Sequence, residues 1–121
     1  MKQVVCAVVI NKGRVLVVRK KEAWFLPGGK PQIGEDDWQC LAREFNKELP
    51  KLVLSNSEYL NSFFGTAPQR SDRFYVRVYL VKVKGELTTA AARWVSKPEE
   101  LGLNEITKKI IIFLNQNNYL Q

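Results

Sequence analysis

Residues 26–49 read LPGGKPQIGEDDWQCLAREFNKEL, a glycine turn, an acidic loop and then a helix carrying Glu44 and Glu48 one turn apart. Apolar Trp38, Leu41, Phe45 and Leu49 recur at helical spacing, which predicts a helix over 36–49 with that face on a sheet. Asp36 and Asp37 suit its N-terminus, where negative charge complements the helix dipole, and Pro50 stops it. Helical residues four apart lie about 40° from each other around the axis, so both carboxylates can converge on one ion. Hard cations such as Mg²⁺ take oxygen ligands of this kind together with the phosphates of a substrate. Taken alone, an i, i+4 glutamate pair is most often a solvated, salt-bridged helix face. The loop ahead of it changes the balance, because Gly28-Gly29 ends a short strand and lets backbone approach a ligand closely.

Working outward, residues 3–20 predict a β-hairpin, VVCAVVI and RVLVVRK joined by Asn11-Lys12-Gly13, where Asn and Gly tolerate positive φ. A short strand over 24–26 runs into the double glycine. Residues 52–64 predict one or two strands broken near Asn56 or Asn61, and 65–73 a polar loop. Over 74–84 the alternation Phe74, Val76, Val78, Leu80 shifts phase to Val81 and Val83, which predicts a bulge near Leu80. Arg93-Trp94-Val95 forms a last short strand. Residues 104–117 read as an amphipathic helix capped by Asn104, with Ile106, Ile110, Phe113 and Leu114 inward. Strands with two well-spaced helices and no regular βαβ alternation imply an α/β (α+β) fold, a mixed sheet sandwiched between helices.

The 121 residues suit one compact domain spanning 1–121, and 45% apolar with 26% charged residues is ordinary for a globular chain. The formal charge of +7 favours phosphorylated partners through long-range attraction. It is spread along the chain with no polybasic tail or recognition motif, which argues against nucleic acid. Cys6 and Cys40 are isolated in apolar sequence, as small buried residues of a reducing, cytoplasmic protein are. No signal peptide or membrane-length apolar run is apparent. Histidine is absent, so acid–base or metal chemistry falls to carboxylates, lysine, tyrosine or cysteine.

The spacing of Gly29, Glu35, Arg43, Glu44, Phe45 and Glu48 resembles the signature of the Nudix (MutT-like) hydrolases. That signature is a glycine, five residues, a glutamate, seven residues, then Arg-Glu, an apolar residue, any residue, Glu-Glu, any residue, Gly and an apolar residue. Trp24-Phe25-Leu26-Pro27-Gly28 is similar to the family's approach to this box. The resemblance implies an α/β/α sandwich and hydrolysis of a diphosphate linkage in a nucleoside diphosphate derivative, with Mg²⁺ or Mn²⁺. It implies Glu44 and Glu48 as metal ligands, Glu44 also as a candidate base, and Gly29 as a carbonyl ligand. Glu35 would act nearby, and Arg43 would orient a carboxylate. Arg19 stands where similar proteins often reach phosphate, and Lys30, Lys47, Arg70 and Arg73 are further candidates for gripping phosphates. Phe63, Phe64, Tyr75 and Tyr79 are candidates for base recognition.

The box is degenerate. Lys47 stands in place of a box glutamate, and Pro50 and Lys51 replace the closing glycine and apolar residue. An ammonium about 5 Å from a bound cation at an effective dielectric near 20 costs roughly 3 kcal/mol per unit charge, less if the lysine swings outward. Ala90-Ala91-Ala92 stands where many similar proteins carry another acid, and Glu86 is the nearest one here. The alternative reading is therefore a catalytically weakened Nudix-like nucleotide-binding module. The expected partner is a phosphorylated, nucleotide-like small molecule, and the expected assembly a monomer or homodimer.

Overall fold

A computed structural model describes residues 1–66 and 73–121. In chain order it contains β1 (Lys2–Val8), β2 (Ile10–Asn11), β3 (Arg14–Lys20), β4 (Ala23–Phe25), β5 (Gly28–Gly29), α1 (Asp37–Glu48), β6 (Leu52–Thr66), β7 (Arg73–Gly85), β8 (Ala92–Val95) and α2 (Glu105–Gln116). One sheet has the order β5-β1-β7-β6 and is mixed, since β1 runs parallel to β7 while β5 and β6 pair antiparallel to their neighbours. The second sheet joins β2, β3 and β4, with β8 on the other edge of β3.

The valine-rich strands divide their side chains between two cores, as a period of two requires. Cys6 and Val8 of β1 and Val15 and Val17 of β3 pack with Ile110, Ile111 and Leu114 of α2. Val5, Ala7, Leu16 and Val18 pack with Cys40, Leu41 and Phe45 of α1. The helices therefore cover opposite faces, which is the sandwich expected from the sequence.

Several local expectations are corrected. The run 3–20 is not one hairpin: β1 pairs with β5 and β7, and only the short β2 folds back on β3. In its tight turn Lys12 and Gly13 take positive φ (52° and 74°), while Asn11 stays in the strand. The expectation of one or two strands over 52–64 with breaks near Asn56 or Asn61 is met by one long strand, β6, whose pairing with β7 slips at Ser55 and Leu60. The irregularities thus lie in β6 opposite the place where β7 was expected to bulge. The change of phase in β7 has another cause, since Phe74, Val76, Val78 and Leu80 face the α2 core while Tyr79, Val81 and Val83 face the α1 core. Gly65, Thr66 and Arg73 lie in strands rather than in a loop.

In α1 the Asp36 carboxylate accepts from the N–H of Gln39 at 2.8 Å, and the Gln39 side chain accepts from the N–H of Asp36 at 2.9 Å, a reciprocal cap. Trp38 is not on the buried face: it is 40% exposed, and Cys40, Leu41, Glu44 and Phe45 are the buried residues. The Asn104 side chain caps α2 by accepting from the N–H of Thr107 at 3.1 Å. The Thr107 hydroxyl in turn accepts from the N–H of Leu26 at 3.3 Å, which ties α2 to the strand that leads into the glycines.

Candidate active site

The site forms where β5 passes beneath α1. Gly28 and Gly29 pair with Cys6 and Val5 of β1, and neither position has room for a side chain. Gly28 has φ +147°, and a Cβ there would lie 2.0 Å from the carbonyl oxygen of Val5. A Cβ on Gly29 would lie 2.5 Å from Oε1 of Glu44. The close approach that the glycines permit is thus to the protein's own backbone and to a site carboxylate.

Glu44 is 93% removed from solvent, at 7% relative exposure, and its Oε1 accepts from Nη1 of Arg43 at 2.9 Å. Arg43 is itself bracketed. Glu35 accepts from its Nε at 2.6 Å and its Nη2 at 3.0 Å, and the carbonyl of Lys30 accepts from Nη2 at 2.9 Å. The two-pronged guanidinium–carboxylate pair fixes orientation as well as charge. It holds the Glu35 carboxyl below the usual range and raises Arg43 further above its own. The box glutamate and arginine are thereby built into a brace for Glu44.

Glu48 is compensated by a residue that the sequence reading missed. Lys20, the last residue of β3, places Nζ 2.8 Å from Oε2 of Glu48 and donates to the carbonyl of Gly28, also at 2.8 Å. The other carboxylate oxygen, Oε1, accepts a long bond of 3.4 Å from the N–H of Gly28. Burial pushes the Glu48 carboxyl up, Lys20 opposes that, and the adjacent Glu44 carboxylate adds to it. Strand parity identifies Lys20: it continues the face of Leu16 and Val18, which turns toward α1, whereas Arg19 alternates to the other face. Arg19 is exposed, and its Nε donates to the carbonyl of Lys21 at 3.3 Å, away from the carboxylates.

Among the other candidates, Lys47 is exposed and makes no hydrogen bond or ion pair among the described residues, so its ammonium is not held against Glu44 or Glu48. Lys30 contributes its carbonyl to Arg43 while its side chain is exposed. Arg73 begins β7 beside Thr66, and its contacts do not include Glu44 or Glu48. Arg70 lies outside the described residues. Cys40 and Cys6 are free and buried, and burial pushes their thiols up to about 11 and about 12, so neither is a ready thiolate.

Next to Lys20 opens a largely apolar cleft of about 170 Å³, walled by Phe25, Phe74, Val76 and Ile106, with Asn104 on its lining. The aromatic residues suggested by sequence are elsewhere. Phe63 is packed on Phe113, Phe64 meets Tyr75, and Tyr79 donates its hydroxyl to Asp37. Asp37 also accepts from Nε and Nη2 of Arg77, each at 2.8 Å, which lowers its carboxyl below the usual range with help from Tyr79. This clamp ties the first turn of α1 to β7.

Among the described residues no three His, Cys, Asp or Glu side chains converge as a metal cluster. Two neighbouring carboxylates and the backbone carbonyls of β5 are nevertheless the hard oxygen donors that Mg²⁺ takes, since that ion usually binds through one or two carboxylates plus substrate phosphates. The donor set fits such an ion. No helix among the described residues is long and apolar enough to cross a membrane.

Comparison with known proteins agrees with this architecture. Among solved structures, the E. coli ORF135 protein superposes with a TM-score of 0.76 at 23% identity, over 97% of this chain and 92% of that one. A MutT NUDIX hydrolase from Burkholderia pseudomallei gives 0.76 at 23% identity, over 92% and 95%. A UDP-X diphosphatase gives 0.73 at 18% identity, covering 98% of this chain and 64% of that one. The chain matches no curated protein sequence. At these identities the superpositions establish the fold, and the NUDIX domain model itself matches residues 1–113. With the glycine strand, the braced Glu44 and the second helical carboxylate all in place, the chain belongs to the NUDIX domain family.

Proposed function

We propose that this chain hydrolyses a diphosphate linkage in a nucleoside diphosphate derivative, with Mg²⁺ or Mn²⁺ held by Glu44, Glu48 and the carbonyl of Gly29. The observation that carries the reading is the pairing of a buried and a half-buried helical carboxylate with a side-chain-free strand, in a domain of a family of hydrolases acting on phosphoric anhydrides. A bound ion of this kind neutralises a diphosphate and makes water a better nucleophile at neutral pH. The protein's own share is positional. Glu35 and the Lys30 carbonyl hold Arg43, and Arg43 holds one oxygen of Glu44. The other oxygen of Glu44 is left to take a proton from the attacking water.

The apolar cleft supports a substrate with a flat, nucleoside-like portion. Phe25 and Phe74 offer ring faces, and Asn104, whose Oδ1 is used in the cap, keeps its amide N–H groups for a base edge. Lys30 and Lys47 stand exposed near the loop and helix and are assigned to phosphate contacts. The protein works in a reducing, cytoplasmic setting as a monomer or homodimer. The test is a panel of nucleoside diphosphate derivatives and dinucleotides assayed for phosphate or nucleotide release with Mg²⁺ and Mn²⁺. Metal-dependent release that is lost in both Glu44→Gln and Glu48→Gln is expected, and unchanged turnover in the two variants would sink the assignment.

A further inference from the structure

We propose that Lys20 is a resident counter-cation of the site, and that a divalent ion binds by displacing its ammonium from Glu48 and the Gly28 carbonyl. The inference rests on the reading of Glu44 and Glu48 as metal ligands and adds what stands in the ion's way.

Two cations compensate three carboxylates here, Arg43 with Glu35 and Glu44, and Lys20 with Glu48. They differ in how they are held. Arg43 is fixed by four oxygen contacts on a planar fork and braces Glu44 from the solvent side. Lys20 has two oxygen contacts, both at the end of a flexible four-carbon stem, and its side chain is 38% exposed where Glu48 is 11% exposed. Both of its acceptors, a carboxylate oxygen and a β5 carbonyl, are the kinds of oxygen a hard cation takes.

Charge balance favours exchange over addition. The cluster carries a net single negative charge with Lys20 in place. A divalent ion replacing the ammonium brings it to neutrality, whereas one added beside the ammonium leaves a positive excess in a half-buried site. The released ammonium has a way out, because the Lys20 side chain is 38% exposed and its flexible stem can carry the charge toward solvent.

Free Mn²⁺ in titrations of wild type, Lys20→Met and Glu44→Gln, read by electron paramagnetic resonance, tests the exchange directly. Lys20→Met keeps the stem and removes the charge, and it is expected to tighten Mn²⁺ roughly tenfold, the worth of one charge-assisted contact. In chelator its melting temperature should fall below wild type, and Mn²⁺ should raise it by more. Equal or weaker Mn²⁺ binding by Lys20→Met, with binding lost in Glu44→Gln, overturns the exchange and leaves the metal site standing. Mn²⁺ binding that survives in Glu44→Gln overturns both. A second measurement needs no variant at Lys20: acylation of wild-type lysines, read by peptide mass spectrometry. Mn²⁺ should raise labelling of Lys20 relative to exposed Lys47, and labelling that is unchanged or lower overturns the proposal.

Discussion

The two ends of α1 each hold a carboxylate against a cation, and they do so to different ends. At the first turn, Asp37 is saturated: Arg77 donates to both of its oxygens and the Tyr79 hydroxyl adds a third bond. Two and three turns later, Glu44 receives one guanidinium N–H, and Glu48 one ammonium and a long backbone N–H bond of 3.4 Å. The first arrangement is a fastening with three strong bonds spread over both oxygens, whereas the second leaves more acceptor capacity for another partner. What separates a structural ion pair from a site on this helix is therefore both how completely the carboxylate is satisfied and how deeply it is buried, Asp37 being 21% exposed where Glu48 is 11%.

The sharpest way to break the comparison is to neutralise each end in turn. Glu44→Gln is expected to lower metal-dependent turnover by about 10²–10⁴-fold with the fold retained. Asp37→Asn should leave turnover within about threefold at temperatures where the protein is folded, and steady-state assays beside circular dichroism check both. Equal loss of turnover in the two variants would erase the distinction. Gly29→Ala comes next: its Cβ collides with the Glu44 carboxylate, and turnover should fall roughly tenfold through displacement of that side chain.

The fastening should show itself in stability. Arg77→Ala or Asp37→Asn is expected to cost about 1–2 kcal/mol in urea unfolding, discounted because both side chains are partly exposed. The Asp37 carboxyl lies below its ordinary value of 3.8 in the folded protein. Its contribution is therefore complete above that value and is lost as pH falls through the lower folded pKa. Asp37→Asn should accordingly flatten the acid limb of the stability profile, seen in melting temperature against pH. Smallest of all should be Lys47→Glu. The side chain is exposed and unpaired among the described residues, so stability should change by less than about 0.5 kcal/mol. A large gain in Mn²⁺ affinity would show that this position reaches the metal itself and not only the phosphates.

The site was more legible in sequence than the sheet around it. Glycine, glutamate and arginine at fixed spacing encode a local strand–loop–helix unit, and every member of the Glu35–Arg43–Glu44 brace lies within that unit. Lys20 escaped because its role depends on strand parity and on a pairing brought about by the tertiary fold. The hairpin was misread because the chain changes sheets at Val9 with no glycine or proline to mark it, so one apolar run serves two sheets. The asparagines at 56 and 61 mark the irregular places in β6, whereas the bulge expected near Leu80 is not in β7, whose apparent change of phase comes from its two faces packing on two cores. Trp38 fits helical spacing, but it stands at the edge of the buried stripe and remains open to solvent.

The two slips in β6 have a consequence beyond register. β6 is the outer strand of its sheet, and an outer strand with a long regular row of free amides and carbonyls is a template for another chain. Here the row is interrupted at Ser55 and again at Leu60, leaving 61–66 as its longest regular stretch. An edge strand interrupted in this way is a poorer template for intermolecular strand addition than an unbroken strand of fifteen residues.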